Sequence, residues 1–422
     1  MRCLPLLFLL GACVSGGSLS GDVDVVPSPE EPAPVDPGPP PPAEAGEVLE
    51  GATIDTTESA WLFDKSHLLS IELTIPEEGL AALAADSTTY VRATVSIDGE
   101  ALPDVGLRLR GKIGSFRTMD GKPKFKIKWN AFVDDQRFYG LETLALNNAV
   151  VDCSYLRDPL GQAVFAQAGL PHMRTAFAWV RVNGEDYGLY PVIEYPDDRW
   201  LKRSFADASG NLYDGKYHWY GDWDYQLVDF TPSLDDYFVL EEGEDVGLAD
   251  VFAVTASLED SADLLTATAG TLDWDHNHRH FAVEQWIGHV DGYVTNDNNY
   301  RVYFNPGAGG RAQIIPWDLD YAFYSARSWG MNWKRPVGAI ADACWADAAC
   351  KADQAEAAMA LADDIDVEAL LAEVEVWKAL INEAALADPR RECGERQISN
   401  GQRVLENWLA DASEELRVSW SE

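Results

Sequence analysis

The residues best suited to chemistry lie in one polar loop and in a short acidic motif that follows it. The loop runs from His289 to Asn299 and contains Asp291 and Asn296. The motif is Pro316-Trp317-Asp318-Leu319-Asp320. Carboxylate and amide oxygens are the ligands that hard cations such as Mg²⁺ take from proteins. The pattern therefore predicts a metal site, although Asp, Asn and Gly also cluster in turns for backbone reasons alone.

Two predicted strands must bring the loop and the motif together. Tyr300 to Phe304 and Ala312 to Ile315 are apolar runs around a Gly-rich turn from Asn305 to Gly310, the pattern of a hairpin. The two ends of a hairpin are neighbours, so Asn299 and Asp318 could share one metal ion.

The order of these elements is that of protein kinases: a buried helix (Phe281 to Val290), a His-x-Asp loop, an Asn, a hairpin and an Asp. In kinases the loop Asp takes the proton of the acceptor hydroxyl, and the Asn and the later Asp hold the metals. Asn296 has the kinase spacing from Asp291, whereas Asn299 directly precedes the strand. We favour Asn299 as the ligand and keep Asn296 as the second candidate.

The first half of the chain is rich in predicted strands, and its last quarter is helical. Four lysines at a period of two should share one face of a strand, and Asn183-Gly184 predicts a tight hairpin turn. The fold class is therefore α+β. The predicted strands are Ser70 to Ile75, Tyr90 to Ile97, Val105 to Arg110, Phe125 to Trp129, Ala176 to Val182 and Tyr187 to Glu194, and the predicted helical segments include Ser154 to Ala168 and Gln354 to Leu416.

The N-terminus has the layout of a signal peptide. Arg2 precedes an apolar core from Leu4 to Leu10, which is too short to span a membrane, and Leu10 to Cys13 resembles a lipobox. We predict a lipoprotein signal over residues 1–13 with lipidation of Cys13. The alternative is an ordinary secretory signal with a chance cysteine. Residues 14–50, rich in Pro and acidic residues, should form a disordered tether, and residues 51–422 the folded domain.

Charge and cysteine content narrow the classes of partner and compartment. The formal net charge of −38 argues against nucleic acid, whose phosphates would be repelled, and against a broad anionic membrane face. Beyond the leader, four cysteines remain: Cys153, Cys344, Cys350 and Cys393. An even number in an exported protein favours two disulfides, and Cys344 with Cys350 is the favoured pair.

Several further motifs, in a fixed order, carry a family resemblance. They are Leu109-Arg110-Gly111-Lys112, Ser115-Phe116-Arg117, Lys122 to Lys128, Tyr155-Leu156-Arg157-Asp158, Val182 to Tyr190, Glu194, Asp291, Asn299-Tyr300 and Pro316 to Asp320. With these pieces in this order, the chain from about Ser70 to Glu406 resembles the spore coat protein H (CotH) kinase family of atypical kinase-like proteins.

The resemblance implies an atypical protein-kinase-like fold and a role for each matching residue. The N-lobe would cover about residues 60–200 and the C-lobe about residues 201–422. Asp291 would be the catalytic aspartate, and Asp318 would hold Mg²⁺ or Mn²⁺ with Asn299 and Asp320 beside it. The residues expected to bind ATP are Arg110, Lys112 in the loop from Gly111 to Ser115, one lysine among Lys122, Lys126 and Lys128 (the last two favoured), and Glu194, which would orient that lysine.

Each of these residues has a simpler interpretation. A lysine stripe is usually a solvated strand face, and Glu194 could belong to a surface ion pair. The loop from Asp291 to Asn299 is also longer than in ordinary kinases, and the stretch from Arg110 to Ser115 is not a G-x-G-x-x-G loop.

The predicted function is ATP-dependent phosphorylation of protein hydroxyls on the cell surface or in the envelope. The protein would be exported and held to a bacterial membrane by its lipid alone, at the outer membrane or cell surface in a Gram-negative cell. Two alternatives stay open. One is a non-catalytic surface, coat-assembly or adhesion protein with the same fold, and the other is a structural domain stabilised by Ca²⁺.

Overall fold

The computed structural model describes residues 57–215, 217–219, 225–259 and 263–421. The predicted signal peptide, Cys13 and the predicted tether at 14–50 lie outside the described residues, as do residues 51–56 of the predicted domain. Among the helices that are described, none combines the length and the apolar character needed to cross a membrane.

The first half of the described chain forms a closed barrel of seven strands in the order β1-β2-β3-β4-β5-β7-β6. All neighbours are antiparallel except β1 and β6, which close the barrel in parallel. Asn183 and Gly184 both have positive φ (51° and 80°), as the predicted tight turn between β6 and β7 requires. The strands are β1 (Leu68–Thr74), β2 (Val91–Ile97), β3 (Glu100–Arg110), β4 (Lys124–Lys128), β5 (Thr143–Leu146), β6 (Thr175–Val182) and β7 (Glu185–Glu194).

A second sheet carries the predicted hairpin. Its strand order is β11-β8-β12-β13, and a separate two-stranded sheet pairs β9 with β10. The hairpin β12/β13 pairs Tyr300 with Pro316 at its open end, as the sequence predicted. The strands are β8 (Leu212–Asp214), β9 (Tyr217–Trp219), β10 (Tyr225–Leu227), β11 (Val239–Glu242), β12 (Tyr300–Asn305) and β13 (Arg311–Pro316).

Helices dominate the C-terminal part, which confirms the α+β class. Helix α6 begins earlier than predicted, at Trp274, and ends at Trp286. Its first turns carry buried polar residues such as Asn277 and His280, so apolar periodicity could not reveal them. The helices are α1 (Glu77–Ala85), α2 (Arg157–Gln167), α3 (Asp198–Ser204), α4 (Ala249–Glu259), α5 (Leu264–Ala267), α6 (Trp274–Trp286), α7 (Tyr293–Asn296), α8 (Ala339–Ala346), α9 (Ala348–Asp364), α10 (Val367–Ala387) and α11 (Glu395–Ser421).

One apolar core joins α2, α6 and the three C-terminal helices to the barrel. Two disulfides lie in the helical part, Cys153–Cys393 and Cys344–Cys350. The second is the pair favoured from the sequence.

A buried ion pair also ties the barrel to the end of α10. The Lys122 ammonium lies 2.5 Å from Asp388 Oδ2 and donates to the Leu189 carbonyl at 2.7 Å. Both side chains are almost fully buried. Burial lowers the pKa of Lys122, although the Asp388 carboxylate opposes that change. Lys122 therefore stabilises the packing of the barrel against the end of α10.

Replacing Asp388 by Ala would leave this ammonium buried without its counter-ion. We expect the free energy of unfolding to fall by about 3–5 kcal/mol, because removing one partner of a buried pair strands the other charge. Denaturation in urea, followed by circular dichroism, would measure the loss.

Two controls accompany this variant. The double variant Lys122→Met, Asp388→Asn removes both charges and should recover much of the loss. Arg92→Ala breaks the exposed Arg92–Asp104 pair and should cost less than about 1 kcal/mol. A loss that small for Asp388→Ala would show that the pair does not hold the barrel to α10.

Candidate functional site

A cleft of about 290 Å³ lies where the barrel meets the second sheet. Its barrel wall is basic and includes Arg108, Arg110 and Lys126. Its other wall is acidic and includes Asp291 and Asp318. A metal–phosphate complex needs this separation, with cationic side chains for the phosphates and oxygen ligands for the cation.

The pairing of β3 with β4 builds the basic wall. Arg110 lies opposite Lys124, and Arg108 lies opposite Lys126, so all four side chains share one face. The Lys126 ammonium sits 3.6 Å from the centre of the Tyr195 ring. Burial lowers the pKa of Lys126 to about 8. The sequence predicted this stripe; the structure buries Lys124 and Lys126, whereas Lys128 stays partly exposed.

The loop after β3 closes the cleft at the barrel side. Gly111, Lys112 and Ser115 line the cleft, and Gly111 has a φ of +101° that a side chain would strain. A Cβ on Gly114 would come within 3.2 Å of the Tyr321 hydroxyl. The loop, whose Lys112 the family resemblance implies in ATP binding, therefore lies against the acidic wall.

The open end of the β12/β13 hairpin builds the acidic wall. The Trp317 amide donates to the Asn299 carbonyl at 3.1 Å, so Asn299 and Asp318 are brought together as predicted. Both have left-handed backbone, with φ of 49° and 48°. Such conformations are uncommon for residues other than glycine and collect at functional sites.

Three asparagine amides hold the half-buried Asp291 carboxylate. Asn296 and Asn298 donate to its Oδ1 at 2.5 and 3.1 Å, and Asn299 donates to its Oδ2 at 2.9 Å. Burial raises the pKa of Asp291, while hydrogen bonds from Asn298 and Asn296 oppose the rise. Asn298 and Asn299 line the cleft, whereas Asn296 ends α7. Since its Nδ2 is engaged, Asn299 would offer a cation its Oδ1.

Asp318 and Asp320 form ion pairs with Lys124 and Arg110 of the basic wall. Lys124 Nζ lies 3.1 Å from Asp318 Oδ1 and 2.8 Å from Asp320 Oδ2, and Arg110 Nη2 lies 3.1 Å from Asp318 Oδ2. Burial alone would raise the pKa of Asp318. The charges of Lys124 and Arg110 outweigh burial, so the pKa of Asp318 is lowered. Burial and the Asp318 charge raise the pKa of Asp320. The pair therefore carries one negative charge more readily than two, and a divalent cation would offset the second.

A buried relay extends from Arg110 into α2. Arg110 Nη1 donates to Asn147 Oδ1 at 2.8 Å, and Asn147 Nδ2 donates to Asp158 Oδ2 at 2.9 Å. Burial and the charge on Asp318 raise the pKa of Asp158 to about 7. The motif Tyr155 to Asp158 thus reaches the site through Asn147, which sequence reasoning did not single out.

Glu284 of α6 fixes the backbone that follows Asp291. Its Oε1 accepts from the Tyr293 amide at 3.0 Å and its Oε2 from the Val294 amide at 2.8 Å. These are the first amides of α7, which lack helical acceptors. Sequence reasoning missed this residue, because a lone glutamate in a helix has no distinguishing pattern.

Of the three lysines predicted to bind ATP, Lys126 lines the cleft, whereas Lys122 and Lys128 do not. Lys124 is the lysine that contacts the acidic pair, and it was not among the favoured residues. Lys122 precedes β4, so the alternation does not govern it, and it pairs with Asp388. Lys128 lies four residues along the strand from Lys124, about 13 Å at the usual rise, and its ammonium is 3.4 Å from Glu142.

Glu194 also lies outside the cleft's charge network. It ends β7, and the guanidinium groups of Arg174 and Arg203 lie 2.7 and 2.8 Å from its carboxylate oxygens. Burial would raise its pKa, but the two arginines outweigh burial and lower it to about 2. Its predicted role of orienting a strand lysine is therefore wrong. The ion pair of the simpler interpretation is present, although buried rather than at the surface.

The fold and cleft together define a kinase-like protein, with lysine and arginine on a barrel wall facing an Asp loop and a post-hairpin Asp. The family model of the CotH kinase protein matches residues 107–416, and the chain belongs to that family. The chain is also similar to the inner spore coat protein H of Bacillus subtilis (strain 168). The two are 26% identical over 269 residues, which cover 61% of this chain and 69% of the relative.

The two backbone hydrogen bonds that Glu284 accepts predict a local effect of its mutation. Glu284→Ala removes the acceptors of two buried amides, so we expect hydrogen exchange at Tyr293 and Val294 to accelerate by about tenfold or more and unfolding to become easier by about 1–3 kcal/mol. Hydrogen-exchange mass spectrometry on peptides covering α7 would measure it. Glu284→Gln keeps one acceptor oxygen and should show a smaller change. Unchanged protection from hydrogen exchange in Glu284→Ala would show that Glu284 does not hold these two amides.

Proposed function

We propose that this protein transfers the γ-phosphoryl group of ATP to hydroxyl groups of proteins. The observation that carries the proposal is the cleft itself, in which Lys124 and Arg110 of the basic wall pair with Asp318, and Asp291 lies on the same wall as Asp318. Membership of the CotH kinase protein family supports it. A purely structural domain has no need of buried opposite charges that converge on an open cleft.

In the proposed step, the acceptor hydroxyl oxygen forms a bond to the γ-phosphorus. The bond from that phosphorus to the β–γ bridging oxygen breaks, and ADP leaves with the electron pair. Asp291 takes the hydroxyl proton; its raised pKa makes its ionised form a stronger base than an ordinary aspartate. The three asparagine amides orient its carboxylate toward that task.

The cation that fits this site is Mg²⁺ or Mn²⁺. Asp318, Asn299 and Asp320 would supply oxygen ligands, which both ions prefer. Such a cation neutralises charge on the β- and γ-phosphates. Arg110, Lys112, Lys124 and Lys126 would contact the phosphate oxygens from the other wall.

We also propose that the domain acts outside the cytoplasm, held to a membrane by a lipid on Cys13. This rests on the leader-like sequence at residues 1–13. Fractionation of cells expressing the full chain and its Cys13→Ser variant would test it, since a protein that stays in the cytoplasm in both cases would rule it out.

Phosphoryl transfer should depend on the two walls of the cleft. We expect Asp291→Asn and Asp318→Asn each to reduce transfer of labelled γ-phosphate, to the protein itself and to a generic protein substrate, by about 100-fold or more. The first removes the proton acceptor, and the second removes a charged metal ligand.

The matched control is Asp104→Asn, a change of the same chemistry on the exposed part of β3, which should leave transfer unaltered. Circular dichroism would confirm that each variant is folded. Transfer that survives in Asp318→Asn, or is absent from the unaltered protein with Mg²⁺ and with Mn²⁺, would overturn the proposed function.

Lys124 and Lys128, at the two ends of β4, should differ in an assay of ATP dependence. Lys124→Met should raise the KM for ATP by about tenfold or more, because an ammonium inside the cleft is lost. Lys128→Met should change it by less than about twofold, since this ammonium pairs with Glu142 instead. Lys124→Arg keeps the charge and should recover part of the loss. Equal effects of the two Met variants would refute this assignment.

A further inference from the structure

A second cavity, of about 1020 Å³, lies beside the segment that follows the acidic motif. One wall is the segment 325–337, and the other is the face of α11 that carries Trp408, Asp411 and Glu415. We call this cavity the acceptor groove. It shares no lining residue with the cleft, so the proposed step leaves its purpose unexplained.

The segment 325–337 is tied to the backbone on both sides of Asp291. Just before it, the Tyr324 amide donates to the Gly288 carbonyl at 3.2 Å, and at its end the Val337 amide donates to the Val294 carbonyl at 2.8 Å. Gly288 and Val294 are each three residues from Asp291. A molecule seated in the groove would therefore lie next to the catalytic loop.

Aromatic contact also joins the segment to the cleft. The Trp329 ring lies 5.4 Å from the Tyr321 ring and 5.6 Å from the Tyr324 ring, and Tyr321 lines the cleft. Trp329 is 47% exposed, and Trp333 lines the groove. Exposed tryptophan and arginine together are typical of sites that bind polypeptide.

The charge of this wall is opposite to that of the whole chain. The sequence has 70 acidic residues among 422 and a net charge of −38. None of those acidic residues lies between Asp320 and Asp342, whereas Arg327, Lys334 and Arg335 do. Arg327 and Arg335 are exposed and line the groove. A basic patch in so acidic a protein favours an acidic partner.

The opposite wall restricts how such a partner can lie. Asp411 and Glu415 are one helical turn apart on α11 and face the groove. They would repel an occupant that is acidic all round. An extended chain turns alternate side chains to opposite sides, so acidic residues at every second position would meet the arginines and leave neutral residues toward α11.

We propose that the acceptor groove binds the protein that receives the phosphate, through an extended segment with Asp or Glu at alternate positions near the acceptor hydroxyl. This inference rests on the proposed function for the identity of the partner as an acceptor. The binding itself is a separate property of Arg327, Arg335 and the tryptophans.

The test is a binding measurement without nucleotide, followed by a transfer assay. Fluorescein-labelled peptides with a central serine would carry Glu, Lys or Gln at alternate positions, and fluorescence anisotropy would measure their affinity for the full chain. The Glu peptide should bind about tenfold or more tightly than the other two, and salt should weaken it. In the transfer assay it should have the lowest KM.

The double variant Arg327→Glu, Arg335→Glu should weaken the Glu peptide by about tenfold or more and improve the Lys peptide. The control Arg396→Glu, Arg403→Glu makes the same charge change at exposed positions of α11 outside the groove and should alter neither. Equal binding of the three peptides, or a Glu peptide insensitive to the groove variant, would overturn the proposal.

The outcomes separate this inference from the proposed function. Peptide binding that depends on Arg327 and Arg335, without phosphate transfer, would refute the kinase and retain the groove as a binding site for acidic segments. Phosphate transfer that is the same for all three peptides and is unchanged in the Arg327→Glu, Arg335→Glu variant would support the proposed kinase function. It would refute the proposal that the groove binds the acceptor.

Discussion

The need to pair buried charges governs how this molecule is put together. Lys124 is almost fully buried, and a lone ammonium there would be very costly. Asp318 and Asp320 offset that charge from a different sheet. Without the other half, each half of the cleft would bury charge that has no counter-ion. The barrel and the hairpin sheet must therefore meet in one arrangement. The Lys122–Asp388 pair applies the same constraint two residues before Lys124, where the barrel meets the end of α10.

The side chains of the cleft are held in place by contacts within the protein. Asp291 is oriented by three asparagine amides, its loop by Glu284, and Arg110 by the relay through Asn147 to Asp158. Asn299 and Asp318 sit in left-handed backbone that the surrounding hydrogen bonds maintain. In the proposed phosphoryl transfer, little reorganisation would then be left for the moment of reaction, which is how preorganised charge favours a transition state.

Much of this could be predicted from the sequence, and the failures have physical causes. The hairpin, its turn and the meeting of Asn299 with Asp318 follow from local patterns that fix local geometry. The period of two predicted four lysines on one face, but it could not show that β4 begins at Lys124 and leaves Lys122 outside it, or which end of the strand meets the cleft. For that reason Lys124 was passed over. The partners of Glu194 and Glu284 are Arg203 and the α7 amides, which lie in other elements of the fold, and no helix or strand period encodes such contacts.

The Cys153–Cys393 disulfide has a consequence for the order of oxidation. Cys393 lies near the C-terminus, so an emerging chain exposes Cys153, Cys344 and Cys350 before the native partner of Cys153 appears. Cys344 and Cys350 are six positions apart, and short loops close at little entropic cost. If they pair with each other first, Cys393 is the partner left for Cys153. The ring closed by Cys153–Cys393 contains the acidic wall of the cleft but not the basic one, so this covalent link restrains only one of the two walls.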